Sequence, residues 1–199
     1  MLQSFLLIMI LNAAVCCEVL ARNIGIRRAI DHSDFVVSTN IDIIAPRRYE
    51  LDKMILSDEI RSDTFYTISR RHTDWGMIKK FFTDNNIPDL NVNSLNFKAW
   101  PLLRDFLILS SSERHFNEVV VKGDDYSLIN CSGDNQIAHK DIWNTIRGFE
   151  EDLIYVLYSD TNVQKKAVMH GFGLKALYNP ALFHIEHGKG GAGFYGWHK

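Results

Sequence analysis

Cysteine is too scarce in this chain to staple a fold or to hold zinc. Three occur among 199 residues, Cys16 and Cys17 adjacent and Cys131 far away, without the paired spacing of a zinc site or the even set of a disulfide framework. They read as buried thiols. A basic excess is missing too: 22 Lys and Arg against 24 Asp and Glu leave a formal charge of -2, so no positive field draws the chain to nucleic acid. No apolar run reaches the ~20 residues of a membrane-spanning helix. The longest, Phe5 to Cys17, is interrupted by Asn12; it has the length of a signal-peptide core, but its leader MLQS carries no positive side chain. The alternative is that it forms the strand or helix that starts the fold. If residues 1–21 are a signal or anchor, the compartment is secretory, and otherwise cytoplasmic. Internal repeats and low-complexity tracts are absent.

What remains is ordinary for a globular protein, 46% hydrophobic and 23% charged. A chain of this length can bury roughly 70% of its unfolded surface in one domain. The partners that composition favours are small molecules or proteins.

The stretch Glu18 to Ile44 organises the rest. Val19, Leu20, Ile24, Ile26 and Ala29 form a one-sided apolar pattern that predicts a helix, with Arg22, Arg27 and Arg28 pointing elsewhere. Phe35-Val36-Val37 predicts a short buried strand. Polarity then changes to Ser38-Thr39-Asn40, and Asp42 follows between Ile41 and Ile43. In an α/β sheet, ligands gather at the carboxyl ends of strands, where an Asp can face a metal or phosphate.

Farther on, Leu51, Met54 and Ile55 predict a surface helix within 47–61, and Thr64 to Ile68 a strand whose end carries Arg70, Arg71 and His72. Asp74 to Phe82 predicts a short helix with Asp74 near its N-cap. Residues 83–114 read as a long connection with one short helix near Leu102 to Leu109.

Glu118 to Val121 predicts a strand. Gly133 to Lys140 reads as a turn into a helix from Asp141 to Arg147 that buries Ile142, Trp143 and Ile146, is capped by Asp141 and stops at Gly148. Asp160 opens a further helix carrying Val163 and Ala167, stopped at Gly171. Leu177 to His187 predicts a strand with His184 and Glu186 on one face and His187 on the other. Neutral imidazoles are usual ligands for manganese or zinc. The final Gly188 to Gly193 tract lacks P-loop spacing, but offers backbone amides and the Lys189 ammonium to a diphosphate.

Three of these blocks together resemble a GT-A glycosyltransferase, a nucleotide-diphospho-sugar transferase of galactosyltransferase-like type. They are Asn23-x-Gly25-x-x-x-Ala29 before the strand to Asn40-Ile41-Asp42, a Gly-containing strand before the helix ending in Gly148-Phe149, and the acidic helix start at Asp160 followed by the His-bearing last strand. The resemblance implies a three-layer α/β domain with a mixed central sheet, and transfer of a sugar from a nucleotide-diphosphate donor to a hydroxyl acceptor with inversion. It assigns Asp160 as general base. Ser159 stands where the family has the first acid of a Glu-Asp pair, and Glu150 and Glu151 are the nearest substitutes. It assigns Asn23, Arg27, Asn40, Gly133, Asp134 and Lys189 to the donor, and Asp42, His184 and His187 to a divalent metal, Mn2+ in that family's chemistry. Asn40 replaces the first carboxylate of the family's Asp-x-Asp, which removes one anionic ligand from a site for hard cations.

Two other readings stay open: a glycosyltransferase-like binding domain without turnover, and a metal-dependent hydrolase built on His184, Glu186 and His187, whose spacing departs from His-Glu-x-x-His. The resemblance also implies on the order of 60 residues of βα units ahead of the Asn23 helix, where only 22 stand. The expectation is a shortened domain with an exposed sheet edge, or one that Phe5 to Ala14 covers.

Overall fold

The computed structural model describes residues 6–9, 15–40, 43–44, 48–86, 102–103, 105–107, 112–113, 135–152 and 159–186. They form β1 (Leu6–Met9), α1 (Val15–Ala29), β2 (Phe35–Thr39), β3 (Ile43–Ile44), α2 (Arg48–Leu56), β4 (Thr64–Asp74), α3 (Trp75–Asp84), β5 (Ser112–Glu113), β6 (Asn135–His139), α4 (Lys140–Ile146), α5 (Ser159–Met169) and β7 (Gly173–Glu186). The chain divides into two units, Met1–Arg70 with His115–Leu182, and Arg71–Arg114 with Phe183–Lys199.

The strands are ordered β1-β2-β6-β4-β7-β3, and β5 pairs with Arg71 and His72 of β4. β1 runs parallel to β2, while β6 lies antiparallel to both β2 and β4. The sheet is therefore mixed, as expected. Part of the apolar N-terminal run becomes β1, beside β2, and no helix among the described residues is long and apolar enough to cross a membrane.

Within the first unit, side-chain alternation along the strands sends two sets of residues to two cores. Val36, Phe65 and Ala138 meet Val19, Ile26 and Ala29 of α1, Ile142, Trp143 and Ile146 of α4, and Val163 and Ala167 of α5. Phe35, Val37, Tyr66 and Ile137 meet Leu51 and Met54 of α2 on the opposite face. Helices on both faces make this the expected three-layer α/β arrangement. Trp143 organises the first core: its ring lies edge-on to Phe65 at 5.1 Å, stacks on Phe149 at 5.9 Å, and donates its indole N–H to the Val36 carbonyl at 3.3 Å. Burying side chains of this size contributes roughly 1.5–3 kcal/mol each, and the indole bond spares the core an unsatisfied donor.

Several expectations change. Leu20 and Ile24 are 44% and 42% exposed, while Arg22 and Asn23 are buried, so α1 is rotated relative to the apolar face expected for it. Its inward stripe is Val19, Arg22, Asn23, Ile26 and Ala29, which follows helical spacing through two polar residues. The segment Gly133 to Lys140, whose residues read as a turn, contains β6 from Asn135 onward, directly before the helix where the resemblance puts a strand. His139, not Asp141, caps α4, its Nδ1 accepting the Asp141 N–H at 3.3 Å. Arg147 takes the left-handed C-cap conformation, and Gly148 beside it also has positive φ. Arg70, Arg71 and His72 lie inside β4 instead of past its end. The expected strand Glu118 to Val121 lies outside the described residues.

In the second unit, α3 buries Ile78, Phe81 and Phe82, and residues 102–103 and 105–107 are helical, with Leu103 and Leu107 buried and Phe106 5.4 Å from Phe81. The short helix expected near Leu102 is thus present in the residues described there.

Candidate functional site

The face of the sheet under α1 and α5 changes character across three strands at one level. Val36 pairs with Ala138, both apolar; two residues along, Ser38 pairs with Gln136, which pairs in turn with Thr67. Because paired residues project to the same side, Ser38, Gln136 and Thr67 form a polar row, each at most 2% exposed. This row lies at the carboxyl end of β2. Gln136 donates from Nε2 to the Asp160 carbonyl at 3.4 Å. Gln136 Oε1, Asn135 Oδ1 and both polar atoms of Gln164 are buried and have no hydrogen-bond partner among the described residues.

Arg22 faces this row. Removing a guanidinium from water costs several kcal/mol unless charge and hydrogen bonds are matched, and its partners come from three elements. Glu18 Oε1, one turn earlier in α1, accepts from Nε at 3.1 Å and from Nη2 at 2.7 Å. Ser38 Oγ accepts from Nη1 at 3.4 Å, and Asn40 Oδ1, just past β2, accepts from Nη2. Asp160 Oδ1, in the first turn of α5, stands 3.8 Å from Nη1. The guanidinium carbon sits 5.2 Å from the centre of the Phe149 ring, within cation–π range. One side chain thus ties the end of β2 and the start of α5 to α1. Two carboxylates share this cation, so an anionic ligand arriving here needs further positive charge.

A second cluster lies one residue away. Asn23 is 2% exposed; its Nδ2 donates to the Phe149 carbonyl and to Glu151 Oε1, and its Oδ1 accepts the Phe149 N–H, all at 2.8 Å. The carboxamide copies a backbone pairing and clasps the turn after α4. Arg27 pairs with Glu151 from the next turn of α1, and Lys166 of α5 donates to the Gly148 carbonyl at 3.0 Å and lies 3.7 Å from Glu150. A cavity of about 580 Å³ borders this cluster, lined among others by Asn23, Arg27, Trp143, Arg147 and Glu151.

No known protein family matches the sequence, and no curated protein does. Among solved structures, the chain is similar to "Mannosyltransferase PcManGT from Pyrobaculum calidifontis in complex with GDP-Man and Mn2+". The alignment covers 90% of this chain and 39% of that one, at 14% identity and a TM-score of 0.48. At that identity and score, the site is read from this chain's own residues.

Asn40 and Asp160 come together, both on Arg22. Asn23, Arg27 and Glu151 come together in the second cluster, where the first two spend hydrogen bonds on the third. His184 is half-buried in β7 and belongs to the second unit. Asp42, Gly133, Asp134, His187 and Lys189 lie outside the described residues. Among the described residues, no three His, Cys, Asp or Glu side chains gather as metal ligands, and Asn40 Oδ1 already accepts from Arg22.

Arg22, Glu18, Ser38, Gln136 and Gln164 were not expected at a site. A signal for Arg22 existed: it stands three residues after Val19 and four before Ile26, on the stripe that a strict helical repeat buries. The polar row carries no such signal, because it is defined by strand register between residues far apart in sequence.

Proposed function

We propose that this chain is a glycosyltransferase-type domain that moves a sugar from a nucleotide-diphosphate donor to a hydroxyl acceptor. The observation that supports this reading is the convergence of Asn40 and Asp160 on Arg22 above the buried polar row. Two segments that the resemblance assigns to one site, 120 residues apart in sequence, meet at the carboxyl end of a sheet strand, where α/β domains bind ligands.

The chemistry asks Asp160 to accept the acceptor's hydroxyl proton as its oxygen bonds to the anomeric carbon. The bond from that carbon to the diphosphate oxygen breaks, and the diphosphate leaves with the electron pair. Arg22 Nη1, 3.8 Å from Asp160 Oδ1, places a counter-charge beside that carboxylate. The resemblance assigns Asp42, with His184 or His187, to a divalent metal; the carboxylate is the donor that suits manganese, while imidazole is the more usual donor to zinc. A divalent cation there would neutralise charge on the leaving group, charge that Arg22, shared by two carboxylates, is poorly placed to offset.

A second reading, a nucleotide-sugar-binding domain without turnover, is favoured by Asn40 and Ser159 where the family carries acids. Incubation with UDP- and GDP-linked sugars, with and without manganese, separates the two. Donor hydrolysis or transfer supports the enzyme, and Asp160→Asn should then lower kcat by a factor of about 10²–10⁴ at little cost in donor affinity. Binding without turnover supports the second reading; neither binding nor turnover refutes both.

A further inference from the structure

We propose that Arg22 is a positioning residue that holds the Asp160 carboxylate and the Asn40 carboxamide in one fixed arrangement; as a statement about catalysis, this rests on the glycosyltransferase reading.

Three observations carry it. Arg22 is 3% exposed and spans α1, the end of β2 and the start of α5. Its guanidinium plane is held on both sides of its function: the Phe149 ring lies against it, and Glu18 takes two of its N–H groups, so the remaining Nη hydrogens are aimed, not free to rotate. The charge arrangement also decides between two roles. A guanidinium meant to grip a ligand phosphate presents its fork to the cavity, where bidentate pairing is strongest. Here Glu18, Asn40, Ser38 and Asp160 occupy the fork, so Arg22 orients other groups and leaves ligand binding to them. A base misplaced by about 1 Å loses on the order of a hundredfold in rate, which is what such an anchor prevents.

Asn40 gains from the same anchor. The fold leaves its carboxamide two orientations, with oxygen or nitrogen toward α1, and a donor in Arg22 selects the oxygen.

The test uses the 199-residue chain with Arg22→Met, which keeps the packing stem but loses the fork, and Arg22→Lys, which keeps the charge. In the ligand-free protein, the folding equilibria of Arg22→Met, Asp160→Asn and the double variant should show roughly tenfold coupling, and Arg22→Lys should retain part of it. With whichever nucleotide sugar the wild type turns over, Arg22→Met should lower kcat about a hundredfold while KM for the donor changes less than threefold, with Arg22→Lys partly restoring kcat. Loss of packing alone would not be rescued by lysine in kcat and leave KM in place. Additive stability effects, or a KM rise with kcat unchanged, overturn the proposal. If Arg22→Met does not fold, the cycle is run with Arg22→Lys against Asp160→Asn, and additivity there overturns it equally. If the wild type turns over no nucleotide sugar, the functional reading fails by itself, and the coupling in the ligand-free protein still decides whether Arg22 holds Asp160.

Discussion

Replacing Gly148 by alanine tests the clasp between α1 and the turn after α4. Gly148 has φ +69°, and an added Cβ would lie 2.3 Å from Asn23 Oδ1. A left-handed residue with a Cβ costs about 1 kcal/mol by itself. The clash adds to this, because Asn23 is buried and cannot swing aside without releasing the Phe149 N–H and carbonyl it binds. Two hydrogen bonds at about 1 kcal/mol each bring the total to about 3 kcal/mol. For a chain of this size, that lowers Tm by roughly 6–12 °C. Gly171 supplies the control: its φ is +85°, but a Cβ there meets no atom within 4 Å, so Gly171→Ala should cost only the backbone term, about 1 kcal/mol or roughly 3 °C. Urea titration and thermal melts of both variants decide the matter. Equal losses at the two glycines would refute the clash. In an Asn23→Ala background, the penalty at Gly148 should fall to that of Gly171.

Two further predictions concern charge. The hydrogen bond from Lys140 lowers the Asp34 carboxyl from its ordinary range, and Asp34 raises Lys140. The pair therefore adds stability above the unfolded carboxylate value of about 3.9, loses it as pH falls through the lower folded value, keeps it below about 10.4, and loses it as pH rises through the raised lysine value. Both groups are more than a third exposed, so the melting difference between wild type and Asp34→Asn should be small, flat from about pH 5 to 9, gone at both extremes and reduced by salt; a difference that persists at pH 2 would contradict the ion pair. Asn40→Asp would add a carboxylate at the proposed metal site and should tighten manganese binding about tenfold by calorimetry, since anionic oxygen ligands raise affinity for hard cations; unchanged affinity would remove Asn40 from that site.

The sequence by itself determined the class of the fold and most of its pieces. Apolar periodicity located α1, β2, α2, the start of β4, α3 and β7 to within a few residues, because each buries a face large enough to show in local pattern. Asp160 at a helix start and Asn40 past a strand were legible for the same local reason. Tertiary structure decided how α1 is rotated: its buried stripe includes Arg22 and Asn23, whose cost is offset by partners at residues 38, 40, 149, 151 and 160, so Leu20 and Ile24 could be left half-exposed. It also decided β6, where Asn135 and Gln136 resemble turn residues until strand pairing sets Gln136 between Ser38 and Thr67. Periodicity records how much of a segment is apolar. It cannot record which buried polar group finds its partner a hundred residues away, and the candidate site consists of such pairs.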